Sequence, residues 1–385
     1  MKILFVNNSH LDTNSGIHIR NLANNLSRLG VQCTVCVPTQ EDAIKEIGSV
    51  MFDVIAFPEV CRNYRKQKYD IIHAWTPREL VRSMTEKLAG IYQCPYIVHL
   101  EDNEEALLEA FIGRPISELS HLSSKQLENL IPPHLSHPIK YKEFLQNALG
   151  ITVIMDTLLE FCPKNIPSEV IWAGYEESMP WGMQMDFSLR TNMKILSSDR
   201  VIVYTGNIHL ANRAEVFSLY LAVGLLNRRG IKTWLVRTGI DYVRLIDPWL
   251  NELNDYCINI GHVPRQNLPA ILSIADVLVQ PGKNDAFNKY RFPAKLPEFL
   301  VTGRPVILPA TNIGRFMKDG EECILLQKGN ALEIAQKLEM LFQDRILCEK
   351  IGEGGRSFAQ KNLKWSRSAE NLNAFYQSLF AKIKI

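Results

Sequence analysis

The chain has 385 residues, 46% of them hydrophobic and 22% charged, with a formal net charge of +2. That length exceeds what one hydrophobic core usually supports, and the composition excludes a disordered chain. A charge so near zero gives no global field for nucleic acid, and no run reaches the roughly 18 to 20 apolar residues of a membrane span.

Lys2 to Asn7 is predicted as a first strand, because its apolar run is too short for a secretory signal. Ile17 to Leu29 has helical periodicity, Gly30 stands where a helix cap belongs, and Gln32 to Pro38 is a second strand. Cys33 and Cys36 form a CxxC inside that strand. With no second cysteine pair nearby, burial is favoured over zinc or redox chemistry, and the eight scattered cysteines suit a reducing cytoplasm. Arg62, Arg65, Lys66 and Lys68 form a basic cluster expected to be a solvated surface.

Strands at Asp70 to Trp75 and Pro95 to Leu100 flank a helical stretch from Pro77 to Ile91. Further strands are predicted at Gly150 to Met155 and Val170 to Trp172. Residues 106 to 149 exceed a simple strand–helix connection and are expected to bind substrate or act as a lid.

The alternation then restarts at Arg200 to Asn207, followed by a helix at Ala214 to Arg228 and strands at Thr233 to Gly239, Cys257 to Gly261, Val277 to Gly282 and Pro305 to Leu308. Helices at Ala331 to Gln343, Arg345 to Ala359 and Ser366 to Lys382 end the chain. The expected fold class is therefore α/β, with two Rossmann-like domains of parallel strands facing across a cleft. The expected division is 1–173, a linker at 174–199, a second domain at 200–365, and a terminal helix at 366–385 packing back on the first domain. In such sheets ligands bind beyond the carboxyl ends of the strands, so chemistry is sought in the turns there.

The richest stretch runs from Gly282 to Pro305. Pro297 belongs in the first turn of a helix, which sets Lys295 and Glu298 near that helix's beginning. There Lys295 would meet a diphosphate and Glu298 the hydroxyls of a ribose, or Glu298 would only complement the helix dipole. Gly206 and Asn207 form a turn that permits close ligand approach. Arg213 and Arg237, near strand ends, suit diphosphate through bidentate hydrogen bonding, or serve as surface ion pairs. In the first half, Ser15 and Gly16 precede a helix without forming GxGxxG, and His18 faces either the ligand or solvent. His99, Glu101 and Asp102 end a strand, where like charges raise carboxylate pKa values, or simply begin an acidic helix.

The run from Ile260-Gly261-His262-Val263-Pro264 through Ala275-Asp276 and Lys295-Leu296-Pro297-Glu298 to Gly303-Arg304-Pro305 resembles the carboxyl-terminal domain of family 4 glycosyltransferases, retaining enzymes of the GT-B fold. The resemblance implies a retaining transferase moving a sugar from a UDP- or GDP-sugar to a glycan, lipid-linked or small-molecule acceptor, without metal or other cofactor. It implies that Glu298 matches the second glutamate of an E-x7-E motif and binds ribose. Tyr290 stands at the first, with Asp285 or Asn288 as substitutes toward the donor sugar. The family's diphosphate clamp falls to Arg213, Arg237 and Lys295, beside the turn at Gly206 and Asn207. Gly16 falls on the phosphate-approaching turn, and Ser15, His18, His99, Glu101 and Asp102 on the acceptor and donor-sugar contacts. Two alternatives stay open, a nucleotide-sugar epimerase of the same fold and a non-catalytic nucleotide-sugar-binding subunit. The expected location is cytoplasmic, with peripheral membrane contact a further alternative.

Overall fold

The computed structural model describes residues 1–44, 50–62 and 67–383. Of the basic cluster, Arg65 and Lys66 lie outside the described residues. The chain forms two compact units. The first contains Met1–Ala173, Tyr290–Phe292 and Trp365–Ile385; the second contains Gly174–Lys289 and Pro293–Lys364.

The first unit is built on seven parallel strands: β1 (Lys2–Val6), β2 (Gln32–Val37), β3 (Asp53–Ala56), β4 (Ile71–Trp75), β5 (Tyr96–Leu100), β6 (Gly150–Val153) and β7 (Ser168–Val170). They lie in the order β3-β2-β1-β4-β5-β6-β7. Four of the five residues of β1 and all of β4 are buried, as expected of a parallel sheet covered on both faces. Cys33 and Cys36 are free and buried in β2, and burial pushes the Cys33 thiol up to about 12. No grouping of side chains able to hold a metal ion occurs among the described residues.

The connection from β5 to β6 is not an open loop. It contains the helices Glu104–Ile112, Ser124–Leu130 and Lys140–Gln146. Leu108, Leu119, Leu127, Ile131 and Leu135 give it a small core of its own. The terminal helix Trp365–Ile383 packs on the helix Asn14–Arg28 of the same unit.

The second unit repeats the plan with six parallel strands: β8 (Arg200–Thr205), β9 (Thr233–Thr238), β10 (Cys257–Gly261), β11 (Val277–Val279), β12 (Val306–Pro309) and β13 (Ile324–Leu326). Their order is β10-β9-β8-β11-β12-β13. Both sheets thus reverse direction beside their first strand, the Rossmann arrangement. The expectation of a linker at 174–199 is corrected. Those residues fold with the second unit, where buried Arg190 donates to the Ile274 carbonyl at 2.6 and 2.9 Å and pairs with Asp276 at 3.0 Å. A buried arginine needs such partners, so the segment cannot swing free. No helix among the described residues is long and apolar enough to cross a membrane.

Candidate functional site

In the first unit β1, β4 and β5 are neighbours with their carboxyl ends on one edge, and that is why three distant segments meet at Glu101. Thr13 caps the helix after β1 by accepting the Gly16 N–H, which fixes Ser15 and His18 on the helix's first turns. Ser15 donates a short hydrogen bond to Glu101 Oε2. His18 Nδ1 lies 3.0 Å from Oε1, and Trp75 Nε1–H, at the end of β4, donates to the same oxygen at 2.7 Å. Burial pushes the Glu101 carboxyl up. The hydrogen bond and charge of His18 and the Ser15 hydrogen bond outweigh it, and the pKa falls to about 2. Glu101 is therefore an anion whose oxygens are already taken by three protein donors. It orients Ser15 and His18.

The other expectations in this half separate. His99 lies within the core, stacked on Trp75 with ring centroids 3.9 Å apart, and its Nδ1 meets Thr152 Oγ1 at 2.8 Å. Burial lowers its pKa to about 3. Asp102 points to Arg78 Nη2 at 3.0 Å, and Glu104 receives Ser136 at 2.7 Å beside the same guanidinium. Burial raises the pKa values of both carboxyls, with the Arg78 charge opposing. At Gly16 a Cβ would lie 2.5 Å from the His10 carbonyl oxygen and Leu11 Cα, so its own loop fills the space on that side.

In the second unit the turns after β8, β9 and β10 lie side by side. Gly206 N–H reaches the Thr238 carbonyl at 3.3 Å, and Gly239 N–H reaches the Gly261 carbonyl at 2.7 Å. Gly206 and Gly239 have φ of +130° and +106°, which side-chain-bearing residues rarely adopt. Asn207 uses its side-chain oxygen to accept the Ile240 N–H at 2.9 Å, tying the first turn to the second.

Lys295 caps the short helix Leu296–Val301, and Pro297 falls in its first turn. The Lys295 ammonium lies 3.9 Å from the centroid of the Tyr204 ring and 2.9 Å from where a Cβ on Gly206 would stand. No carboxylate pairs with it among the described residues. Glu298, on the same helix, is buried and accepts from Arg265 Nη2 at 2.6 Å, while Arg265 Nε donates to Glu176 at 3.2 Å. Burial raises the Glu298 pKa, opposed by the charge and hydrogen bond of Arg265.

The remaining candidates lie elsewhere. Arg213 spends its Nε on the Arg244 carbonyl at 2.7 Å. Arg237 is buried, with Nη2 at 2.7 Å from both oxygens of Asp241 and Nε at 3.1 Å from Tyr220. The structure thus brings Gly206, Asn207 and Lys295 together, and does not bring the two arginines to them. Asp285 caps its own turn by accepting the Asn288 N–H at 2.9 Å. Asn288 is fully buried against Glu215 at 2.6 Å. Tyr290 folds with the first unit and donates its hydroxyl to Glu160. Sequence reasoning missed Trp75, Arg78 and Arg265; the last stands one residue beyond the Gly261 to Pro264 run.

Two Rossmann-type units in one chain, each with its glycine turns or polar residues at strand carboxyl ends, define the GT-B class. Residues 199–344 match the family described as Glycosyl transferases group 1. Solved structures share the fold. Sucrose-phosphate synthase from Thermosynechococcus elongatus is 16% identical over 99% of this chain and 100% of its own, with a TM-score of 0.75. HepE from Anabaena, solved with UDP-glucose, is 13% identical over 98% and 100%, with a TM-score of 0.69. WaaG, a glycosyltransferase involved in lipopolysaccharide biosynthesis, is 13% identical over 96% and 98%, with a TM-score of 0.67. Among curated proteins none matches.

Proposed function

We propose that the chain is a retaining hexosyltransferase that moves a sugar from a nucleotide diphosphate sugar to a glycan, lipid-linked or small-molecule acceptor, without metal. One observation carries the proposal: the Lys295 ammonium, held over Tyr204 beside the Gly206 turn, with no carboxylate in an ion pair with it among the described residues. A cation fixed next to a side-chain-free turn can meet the diphosphate as negative charge develops on it. Preorganised stabilisation of that kind contributes about 10²–10³ in rate. Because the cation is supplied by the protein, the leaving group needs no divalent ion.

Glu298 is assigned to the ribose. Its Oε1 is engaged by Arg265, which leaves Oε2 to accept from a ribose hydroxyl. The choice of a UDP-sugar is supported by the UDP-glucose complex of the similarly folded HepE. Ser15 and His18, oriented by Glu101, are assigned to the acceptor. Retention is part of the proposal, supported by the resemblance of residues 199–344 to group 1 glycosyltransferases, with attack on the face the diphosphate leaves and the departing phosphate taking the acceptor proton. Tyr290, its hydroxyl committed to Glu160, favours one second reading, a subunit that binds the nucleotide sugar without turning it over.

Incubation with UDP- and GDP-sugars, with and without cell extract as acceptor, tests the proposal. Glycosylated product with the donor's anomeric configuration supports it. Binding without turnover supports the second reading, and epimerised free donor overturns the transferase assignment.

A further inference from the structure

The second unit holds a cavity of about 550 Å³ whose lining includes none of Lys295, Glu298, Gly206 and Asn207. It is lined by the helix Arg213–Arg228, β9, β10, the loop after β9 and the 3-10 helix Pro248–Tyr256. A volume of that order takes a small molecule. Arg237 is its innermost charge, only 1% exposed. Asp241 holds Nη2 and the Tyr220 hydroxyl accepts from Nε, yet Nη1 is buried with no hydrogen-bond partner among the described residues.

A buried guanidinium N–H left unpaired is costly, and such groups are normally satisfied by something in the adjoining space. The surrounding chemistry says what. The Tyr220 hydroxyl also accepts from the Cys257 thiol at 3.0 Å. Among the described residues Arg244, on the loop, has only its Nε engaged, by the Ile246 carbonyl at 3.2 Å. Asn259 uses its side-chain oxygen on the Gly261 N–H, leaving its amide N–H groups as donors. Two arginines against one aspartate leave an excess positive charge. Val243, Leu245 and Ile246 make the remaining wall apolar.

We propose that this cavity is a second ligand site, which takes a small molecule joining one anionic head, a carboxylate or phosphate, to a compact apolar body. The head pairs with Arg237 Nη1, with Arg244 and Asn259 at the mouth, and the body lies on the Leu245 and Ile246 wall. The site is independent of the donor assignment, since no residue of the Lys295–Glu298 constellation lines it.

The test titrates the full chain with benzoate, phenyl phosphate and, as a neutral control, benzyl alcohol, by calorimetry with and without saturating UDP. The expected result is saturable binding of one or both anions, unchanged by UDP, with benzyl alcohol at least about tenfold weaker. The relative strength of benzoate and phenyl phosphate identifies the head group. Arg237→Gln should weaken the anions about tenfold or more. Because that variant strands Asp241, Asn254→Trp provides a second check: Asn254 is exposed at the rim, and an indole there should close the cavity and abolish binding. Equal binding of benzyl alcohol, displacement of the anions by UDP, undiminished binding to Asn254→Trp, or no binding to the wild type would each overturn the proposal.

Discussion

The Lys295 ammonium occupies the space that a side chain on Gly206 would need, 2.9 Å from the position of that absent Cβ. Glycine and lysine lie 89 positions apart in sequence, and each explains the other. On the proposed reading, the turn is bare so that the donor diphosphate can approach, and Lys295 delivers its charge to that face.

Lys295→Ala should therefore leave the fold intact and remove the leaving-group cation. Turnover is expected to fall about 10²–10³-fold, with a smaller rise in KM. Lys295→Arg should recover part of the loss. Steady-state release of nucleoside diphosphate from the donor measures both.

Gly239→Ala should destabilise more than Gly206→Ala. At Gly206 the added Cβ meets the mobile end of Lys295, whereas at Gly239 it would lie 2.4 Å from the Gly206 carbonyl oxygen, which is backbone. Positive φ adds strain of about 1–3 kcal/mol in either variant. Urea midpoints at constant m-value rank the two, and equal midpoints would contradict the packing described here.

Glu298→Ala should weaken UDP binding about tenfold or more, the value of a hydrogen bond to a charged group. Arg265→Met should act through pH instead. The Glu298 carboxyl is raised by burial above its ordinary value, so the folded chain keeps a proton that the unfolded chain releases. Stability contributed by this group thus falls as pH rises from about 4.5 through the raised pKa. Removing Arg265, which opposes the rise, should extend that loss to higher pH. Denaturant midpoints of the wild type and Arg265→Met between pH 4.5 and 8 give the comparison.

His99 and His73 should set the acid side of the stability profile. Burial lowers His99 to about 3 and holds His73 well below 6.5. Both stay neutral in the folded chain at pH values where the unfolded chain takes up protons. Their contribution is present above pH 6.5 and is lost as pH falls toward 3. His99→Phe, which keeps the stack on Trp75, should flatten part of this decline; an unchanged slope between pH 6.5 and 4.5 would contradict it.

Most of both sheets was legible because their inner strands are continuous apolar runs between turn residues. The strands that sequence reading missed or shifted lie at sheet edges: β3, β13 and β7. Edge strands are short and less covered, so their apolar signal is weak. Ile171 and Trp172 drew the expected last strand of the first sheet onto residues past its end; it lies at Ser168–Val170.

The turn at Gly206 and the helix start that carries Lys295 and Glu298 were legible because each is a local event. Arg237 was not placed, because its strand position left open which face its side chain takes, and it turns to Tyr220 and Asp241. Arg265 and Glu298 pair across 33 positions, which no local pattern encodes. Glu101 was found as a strand-end carboxylate, but its three donors come from segments that only the sheet order brings together.

The most direct measurement is donor turnover: purified chain is incubated with UDP-glucose, other UDP-sugars and GDP-sugars plus cell extract, and nucleoside diphosphate and glycosylated product are followed together. The account predicts release of UDP or GDP in step with product of retained anomeric configuration, lost in Lys295→Ala. If neither UDP, GDP nor any of their sugars binds or shifts the melting temperature, the central claim is wrong.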